Sequence, residues 1–538
     1  MKKILVVFTL FLLPLFSVEN ITLDYLKEQP KGIARDFYIW LFLQKDNITP
    51  KEVSEAYQLA QRKNTKLFGL YYKKGDNKRL SRATICQRMQ ISKLLQQDGE
   101  CIASAIDIKK AESLSPKTLL NLSKKVEKND KTLSQSLYVM AQKNPLDSLI
   151  KSDVFVFTKL YFGGGDKTRS QMNKKIPNAI LVAYIKTKNE SFRNLIRHSV
   201  LTTYMGNLQE SLAEINPSEV VNFLDYESSF YMGMNALRFQ KTNKAMEYFK
   251  RSENAIQYEF YKNRAIFWQY LLSKDSKALE KLTLSKSLDV YALAAQEMAN
   301  KAPNYNIVRD IPLKETQALW DTRNPFEWER IKKGHREKKD GKHLAKVEHS
   351  NTKAHFLLLK RERNTEYFLT PYKEAFGRFD TDKQALLYAL GRQESLFIPT
   401  AISTSYALGV MQLMPFNVVA IAKELNESDK VGYLDMFDPN VNVPYAEYFT
   451  RPLVKEFNHP LFISYAYNGG PGFARRLLAK NYLFKKNNPY DPWFSMEMIP
   501  YGESRLYGKR VLANYVIYQQ GFGKDVKLLE LLDKTLVY

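Results

Sequence analysis

Glycine and proline are scarce, 22 and 21 among 538 residues. That shortage argues against a turn-rich β protein and suits long helices. There are two cysteines, Cys86 and Cys101. A densely cross-linked small secreted scaffold is therefore excluded, and neither cysteine lies in a recognisable nucleophile motif. After the first residues no stretch is apolar enough to span a bilayer, which takes about 20 residues. Acidic residues are also short, 57 against 81 basic ones, leaving a net charge of +24. Such a balance favours an anionic partner: nucleic acid, an anionic membrane face or an acidic polymer.

What is present begins with a secretory pattern. Lys2 and Lys3 precede an apolar run from Ile4 to Phe16, broken by Thr9 and Pro14, with Ser17 as a small residue at the cleavage point. We expect residues 1–17 to be a cleaved signal peptide, the rival being an uncleaved anchor. Export makes a Cys86–Cys101 disulfide a candidate, with two buried thiols as the alternative. Export also argues against nucleic acid as a ligand.

From residue 20 to 301 the pattern is mostly helical. Leu133, Leu137, Met140 and Ala141 keep one apolar face, as an amphipathic helix requires. Ala179 to Ile185 is the main run that could be helix or strand. In Tyr226 to Phe249, small Gly233 and Ala236 precede Ala245, Tyr248 and Phe249, the small-then-large packing of a helical hairpin. No clean period repeats. The expectation is an irregular α-superhelix of helical hairpins, and periodicity does not say whether it closes into a ring. Phe162-Gly163-Gly164-Gly165-Asp166 lacks the lysine and serine of a phosphate loop and reads as a turn.

Residues 302–379 change texture, with Pro303, Pro312 and Pro325 and a charged run from Lys332 to Lys346. Four of the six histidines, His335, His343, His349 and His355, fall here at spacings of 8, 6 and 6. Metal ligands want tighter spacing, so these read as solvated surface histidines in a small helical linker domain, with no metal.

The chemistry concentrates after residue 380. Leu387, Leu390 and Gly391 share one helical stripe with Glu394. A carboxyl on an apolar face is desolvated, which raises its pKa, as a general acid at neutral pH requires. Ser395 follows, then Ser403 and Ala407-Leu408-Gly409-Val410-Met411-Gln412-Leu413-Met414-Pro415. Two further stretches are Ala466-Tyr467-Asn468-Gly469-Gly470-Pro471-Gly472 and Ile499-Pro500-Tyr501-Gly502-Glu503-Ser504-Arg505-Leu506-Tyr507. In this order they resemble the catalytic domain of soluble lytic transglycosylases, specifically so from Lys383 to Tyr518. Upstream the resemblance is architectural, a helical array followed by a linker, with Arg264, Ala265 and Trp268 reminiscent of the same family.

The resemblance implies an all-α chain: a superhelical domain over 20–301, a linker over 302–379, and a lysozyme-like α domain over 380–538. It implies a periplasmic enzyme that cleaves peptidoglycan glycan strands, an exported polymer rich in carboxylates. Glu394 would be its acid and base, and no cofactor or metal is needed. Ser403, Met411, Gln412, Met414, Tyr467, Asn468 and Glu503 would hold the substrate. For Met411 an ordinary core role is as plausible, and for Glu503 an ion pair, for example to Arg505. A monomer is expected, with room for peripheral membrane or cell-wall protein contacts. The chain departs from the family where Tyr406 stands for a usual glycine, Val410 for leucine, and Phe416-Asn417-Val418 for a small residue and Thr-Ala. Tyr406 is expected to narrow the cleft or to alter the turn beside Ser403. Rival readings are a muramidase-type hydrolase, which needs a second carboxylate such as Asp435, Asp438 or Glu503, and a non-catalytic wall-binding scaffold.

Overall fold

The computed structural model describes residues 20–76, 81–338, 341–360, 362 and 364–537. The expected signal segment lies outside them. The chain is all-α, as its composition suggested. Among the described residues, extended structure amounts to a parallel pair, Asn306–Val308 with Thr365–Tyr367, and a few isolated bridges. None of their helices is long and apolar enough to cross a membrane.

The chain divides into two compact units, each assembled from separated stretches. The larger comprises the described residues of 80–308, 364–367 and 457–538. Its helices start where polar side chains cap them. Ser115, Asp130, Asn189 and Asp225 each accept a backbone N–H from three residues on, and each such cap is worth about 1 kcal/mol. These local signals replace a fixed repeat, which is why hairpins form without a period. Helices Tyr226–Arg238 and Thr242–Asn254 make the predicted hairpin. A Cβ on Gly233 would lie 2.6 Å from the Phe249 ring, so the small residue is what lets the helices close. The ambiguous run is helix Asn178–Lys186. Gly163 ends helix Val154–Gly163, and Gly164 and Gly165 join it to helix Asp166–Met172. There Glu112 accepts the Gly165 N–H at 2.7 Å and the Thr168 N–H at 3.2 Å. Cys86 and Cys101 form a disulfide with Cα atoms 5.5 Å apart.

The C-terminal helices of this unit pack on the hairpins through charge as well as apolar surface. Glu297 caps helix Leu528–Lys534 by accepting the N–H groups of Leu528 and Leu529 at 2.7 and 3.0 Å. Deeper, Glu497, Lys509, Arg264 and Tyr291 are all buried. Lys509 Nζ lies 2.9 Å from Glu497, and Arg264 3.8 Å from the same carboxylate. The Tyr291 hydroxyl donates to Glu497 and accepts from Lys509. Burial pulls Lys509 down to about 8. For Glu497 burial raises the pKa, but the Lys509 and Arg264 charges outweigh it and the group is lowered.

The other unit comprises the described residues of 1–79, 309–363 and 368–456. Helices Ile33–Phe42, Pro50–Leu59 and Thr65–Lys74 belong to it, beside helix Pro325–Lys338. The join is aromatic: Tyr38 and Phe326 ring centres lie 4.7 Å apart. One histidine expectation is corrected here. His355 is not a surface residue but is wholly buried, its ring edge-on to Trp320 and Trp328 at 5.2 and 4.7 Å. The apolar slot made by two tryptophans, invisible in histidine spacing, outcompetes solvation.

Two buried histidines set an acid limit. Burial, with Lys332 nearby, holds His355 down to about 3. Burial also holds His459, in the larger unit, down to about 4, with Lys534 adding to it against the Leu531 hydrogen bond. His459 Nδ1 accepts the Leu461 N–H at 3.2 Å, so Nε2 carries the proton and donates to the Leu531 carbonyl at 2.9 Å. Unfolded histidine takes a proton near pH 6.5 and these do not. Stability is therefore full above that pH and falls as the pH drops from 6.5 toward 4 and 3. From pH 7.5 to 5 each should cost about 2 kcal/mol. Denaturant melts of His355→Phe and His459→Asn should each show about that much less acid sensitivity than the parent. Profiles identical to the parent would refute the assignment.

Candidate active site

Helix Thr381–Ser395 is capped by Asp380, which accepts the Lys383 N–H at 2.9 Å. Residues 385–391 are all buried, so the helix is enclosed all round and not amphipathic. Lys383 reaches Glu447 at 3.1 Å, and Arg451 meets the same buried carboxylate at 2.8 Å. Burial raises the Glu447 pKa, but hydrogen bonds from Arg451 and Lys383 leave it lowered. Glu394 sits one turn beyond the buried run and is half-buried. The helix then stops abruptly, because Leu396 and Phe397 both take left-handed φ, 52° and 65°. Such conformations in bulky residues persist only where packing imposes them. Here Phe397 folds back, and its backbone carbonyl accepts from the Tyr372 hydroxyl at 2.9 Å.

A loop over 401–413 lies beside this helix end, tied to it by Ser395 Oγ donating to the Val410 carbonyl at 2.8 Å. Ser403 Oγ accepts the N–H groups of Ala407 and Ser405 at 2.9 and 3.2 Å. Gln412 Nε2 donates to the carbonyls of Ala401 and Gly409, both at 2.9 Å. Both side chains thus shape the loop. The Ser403 hydroxyl proton and Gln412 Oε1 are what they have left for a ligand. Met411 is wholly buried, its sulfur 3.2 Å from where a Cβ on Gly391 would stand, so it supports the loop from beneath. Met414 is half-buried at the start of helix Pro415–Glu424.

One residue missed in the sequence holds this loop. Asn442 is wholly buried; its Oδ1 accepts the Met411 N–H at 2.8 Å and its Nδ2 donates to the Leu408 carbonyl at 3.2 Å. Gly409 has φ of 79°, and a Cβ there would come within 2.2 Å of the Met436 carbonyl oxygen and 2.6 Å of Asn442 Nδ2. Gly409→Ala should therefore destabilise the protein by about 2–4 kcal/mol, combining left-handed strain with overpacking. Urea melts measure this; a cost below about 1 kcal/mol would mean that the loop is pliable.

Tyr406 does not narrow a cleft. It is buried, keeps a left-handed φ of 67°, and points its ring at the N-terminal helices. Phe37 and Trp40 ring centres each lie 5.6 Å from it, and its hydroxyl donates to the Asp36 carbonyl at 3.3 Å. Lys66 caps the arrangement, 5.4 Å over the Tyr406 ring and donating to the Ser405 carbonyl at 2.8 Å.

The remaining candidates belong to the larger unit. Tyr467 and Asn468 end helix Pro460–Gly469, half-buried. Asn468 is held from both sides: its Nδ2 donates to Glu503 at 3.2 Å and its Oδ1 accepts from Ser504 Oγ at 2.7 Å. Glu503 is exposed at the start of helix Gly502–Gly521. Arg505 does not pair with it; its guanidinium donates to the Ile499 carbonyl and lies over the Tyr231 ring. Among the described residues, no group of three or more His, Cys, Asp or Glu side chains could hold a metal.

An enclosed helix thus carries Glu394 at its end and is followed by a hydrogen-bonded loop, in an all-α chain. Residues 374–489 match the model of the transglycosylase SLT domain. The soluble lytic murein transglycosylases of Salmonella typhimurium and Escherichia coli K12 are each 30% identical to this chain over 168 residues. That alignment takes in 30% of this chain and 25% of each relative's length. A solved structure of an inactive mutant of the lytic transglycosylase Slt from Pseudomonas aeruginosa aligns over 92% of this chain and 83% of that one. Its TM-score is 0.50 at 16% identity, a likeness of fold.

Proposed function

We propose that the chain is a periplasmic peptidoglycan lytic transglycosylase with Glu394 as its general acid and base. The observation that carries this is the place of Glu394, half-buried at the end of an enclosed helix and next to Ser395, which ties that helix to the Ser403–Gln412 loop. Cleavage of the bond between N-acetylmuramic acid and N-acetylglucosamine needs a proton on the leaving oxygen, and Glu394 supplies it. The carboxylate then takes the proton of the muramyl C6 hydroxyl. That oxygen closes on C1, giving a 1,6-anhydro sugar without water or a protein nucleophile. Ser403, Gln412 and Met414 are proposed to position the sugars; Tyr467, Asn468 and Glu503, in the larger unit, are proposed for substrate binding on the family resemblance alone.

Each carboxylate that a hydrolase would need already accepts a hydrogen bond within the fold and keeps further acceptor sites. Asp435 accepts the Gly432 N–H at 2.7 Å. Asp438 accepts the Asn440 N–H at 2.8 Å and faces Arg323 at 3.5 Å. Glu503 holds Asn468. The test is digestion of purified peptidoglycan followed by mass spectrometry. Fragments ending in 1,6-anhydro-muramyl sugar are expected. Fragments heavier by one water would make the enzyme a hydrolase, and no fragments, where a control enzyme works, would favour a scaffold.

A further inference from the structure

A pocket of 680 Å³ opens in the linker region, within residues 319–349. That volume suits a small ligand, whose sites span about 300–1,000 Å³. One wall is the Trp320 indole. It is fixed in place: its Nε1 donates to the Lys346 carbonyl at 3.0 Å, and its ring stacks on Trp328 at 6.4 Å and 12°. With the N–H engaged, Trp320 offers only its aromatic surface. Among the described residues, Arg330, Lys342 and Lys346 line the pocket with one carboxylate, Glu327, which already accepts the Asp321 N–H at 3.1 Å; the site inferred here uses only Arg330 and Lys346 of these cations. Arg330 is oriented by Gln29 Oε1 at 2.9 Å, a neutral partner. Neither Arg330 nor Lys346 has a carboxylate partner among the described residues. His343 and His349 complete the polar wall, and His349 Nδ1 is anchored 2.8 Å from Thr316 Oγ1.

A pre-set aromatic face beside uncompensated cations recognises a ring joined to an anion. Cations bind carboxylates through charge-assisted hydrogen bonds, and the indole takes the apolar face of the ring. We infer that this pocket is a second binding site, separate from Glu394, for a carboxylate-bearing muropeptide, with the sugar against Trp320 and the peptide carboxylates on Arg330 and Lys346. The choice of a muropeptide among anionic rings rests on the function proposed above.

The probe is N-acetylmuramyl dipeptide with free carboxylates, alongside its fully amidated form. Both are titrated by calorimetry into the full chain carrying Glu394→Gln. Arg330→Gln with Lys346→Gln changes two exposed side chains and is expected to weaken binding at least ten-fold. The amidated probe should bind the parent at least ten-fold more weakly than the acid. Trp320→Ala should also lose binding, with a melt to check its fold. Unchanged affinity in the double variant, or equal affinity for the amide, overturns the inference. The two readings fail separately. Wild-type protein that cleaves peptidoglycan while the double variant binds normally removes only the pocket. Protein that cleaves nothing, yet loses the probe in the double variant, removes only the lyase.

Discussion

Glu394→Gln is expected to lose about 10²- to 10⁴-fold of peptidoglycan cleavage, the range that a positioned acid–base group contributes. The substitution keeps the size and shape of the side chain, and the carboxyl is half-buried beyond the enclosed run. Packing should therefore hold, and the melting temperature should stay within a degree or two of the parent. On the proposed mechanism, what disappears is the proton for the leaving oxygen and the base that recovers it. Both halves of that mechanism run through the same carboxyl, so removing either role removes both. Rates of release of soluble fragments, measured beside melts of the same preparations, decide the matter. A variant that retains more than a tenth of the activity would move the acid to another residue. A variant that loses activity and stability together would leave Glu394 as a structural group.

Glu497→Ala should cost about 3–5 kcal/mol, the price of leaving buried charges uncompensated. Lys509 and Arg264 both face this carboxylate, and both are buried with it. Tyr291 would lose its acceptor at the same time. Against a total stability of about 5–15 kcal/mol, that loss would approach unfolding. The control is Glu497→Met with Lys509→Met, which removes two of the three buried charges, leaves Arg264 against Phe230, and fills the space. The double variant should be more stable than Glu497→Ala. Urea melts that put the single variant within about 1 kcal/mol of the parent would show that the network is not stabilising the larger unit.

The same network marks where sequence reading ends. Helices were legible because caps and apolar stripes act over three or four residues, as at Asp130 and Leu133. The motifs around Glu394, Ser403 and Gln412 were legible because they lie close together in the chain. Glu497 and Lys509 look like ordinary solvated charges until Arg264 and Tyr291, more than 200 residues upstream, close over them. Asn442 gave no signal either, since nothing in its own helix shows that it clamps a loop 31 residues away. His355 was misread for the same reason, its slot being made by Trp320 and Trp328. Ser403 and Gln412 were read for a ligand alone, because spacing does not reveal that their side chains also bond the loop that presents them.

Tyr406 takes on a different meaning in this light. The left-handed turn it occupies is one that glycine adopts without strain. Here an aromatic residue adopts it, with its ring seated against Phe37, Trp40 and Lys66. The loop beside Glu394 is thus shaped by side chains from more than 300 residues earlier. Residues 380–538, though contiguous in their motifs, are not a transplantable cassette. Grafted onto another scaffold, they would carry a tyrosine adapted to helices left behind, and the graft would have to bring those helices or restore the glycine.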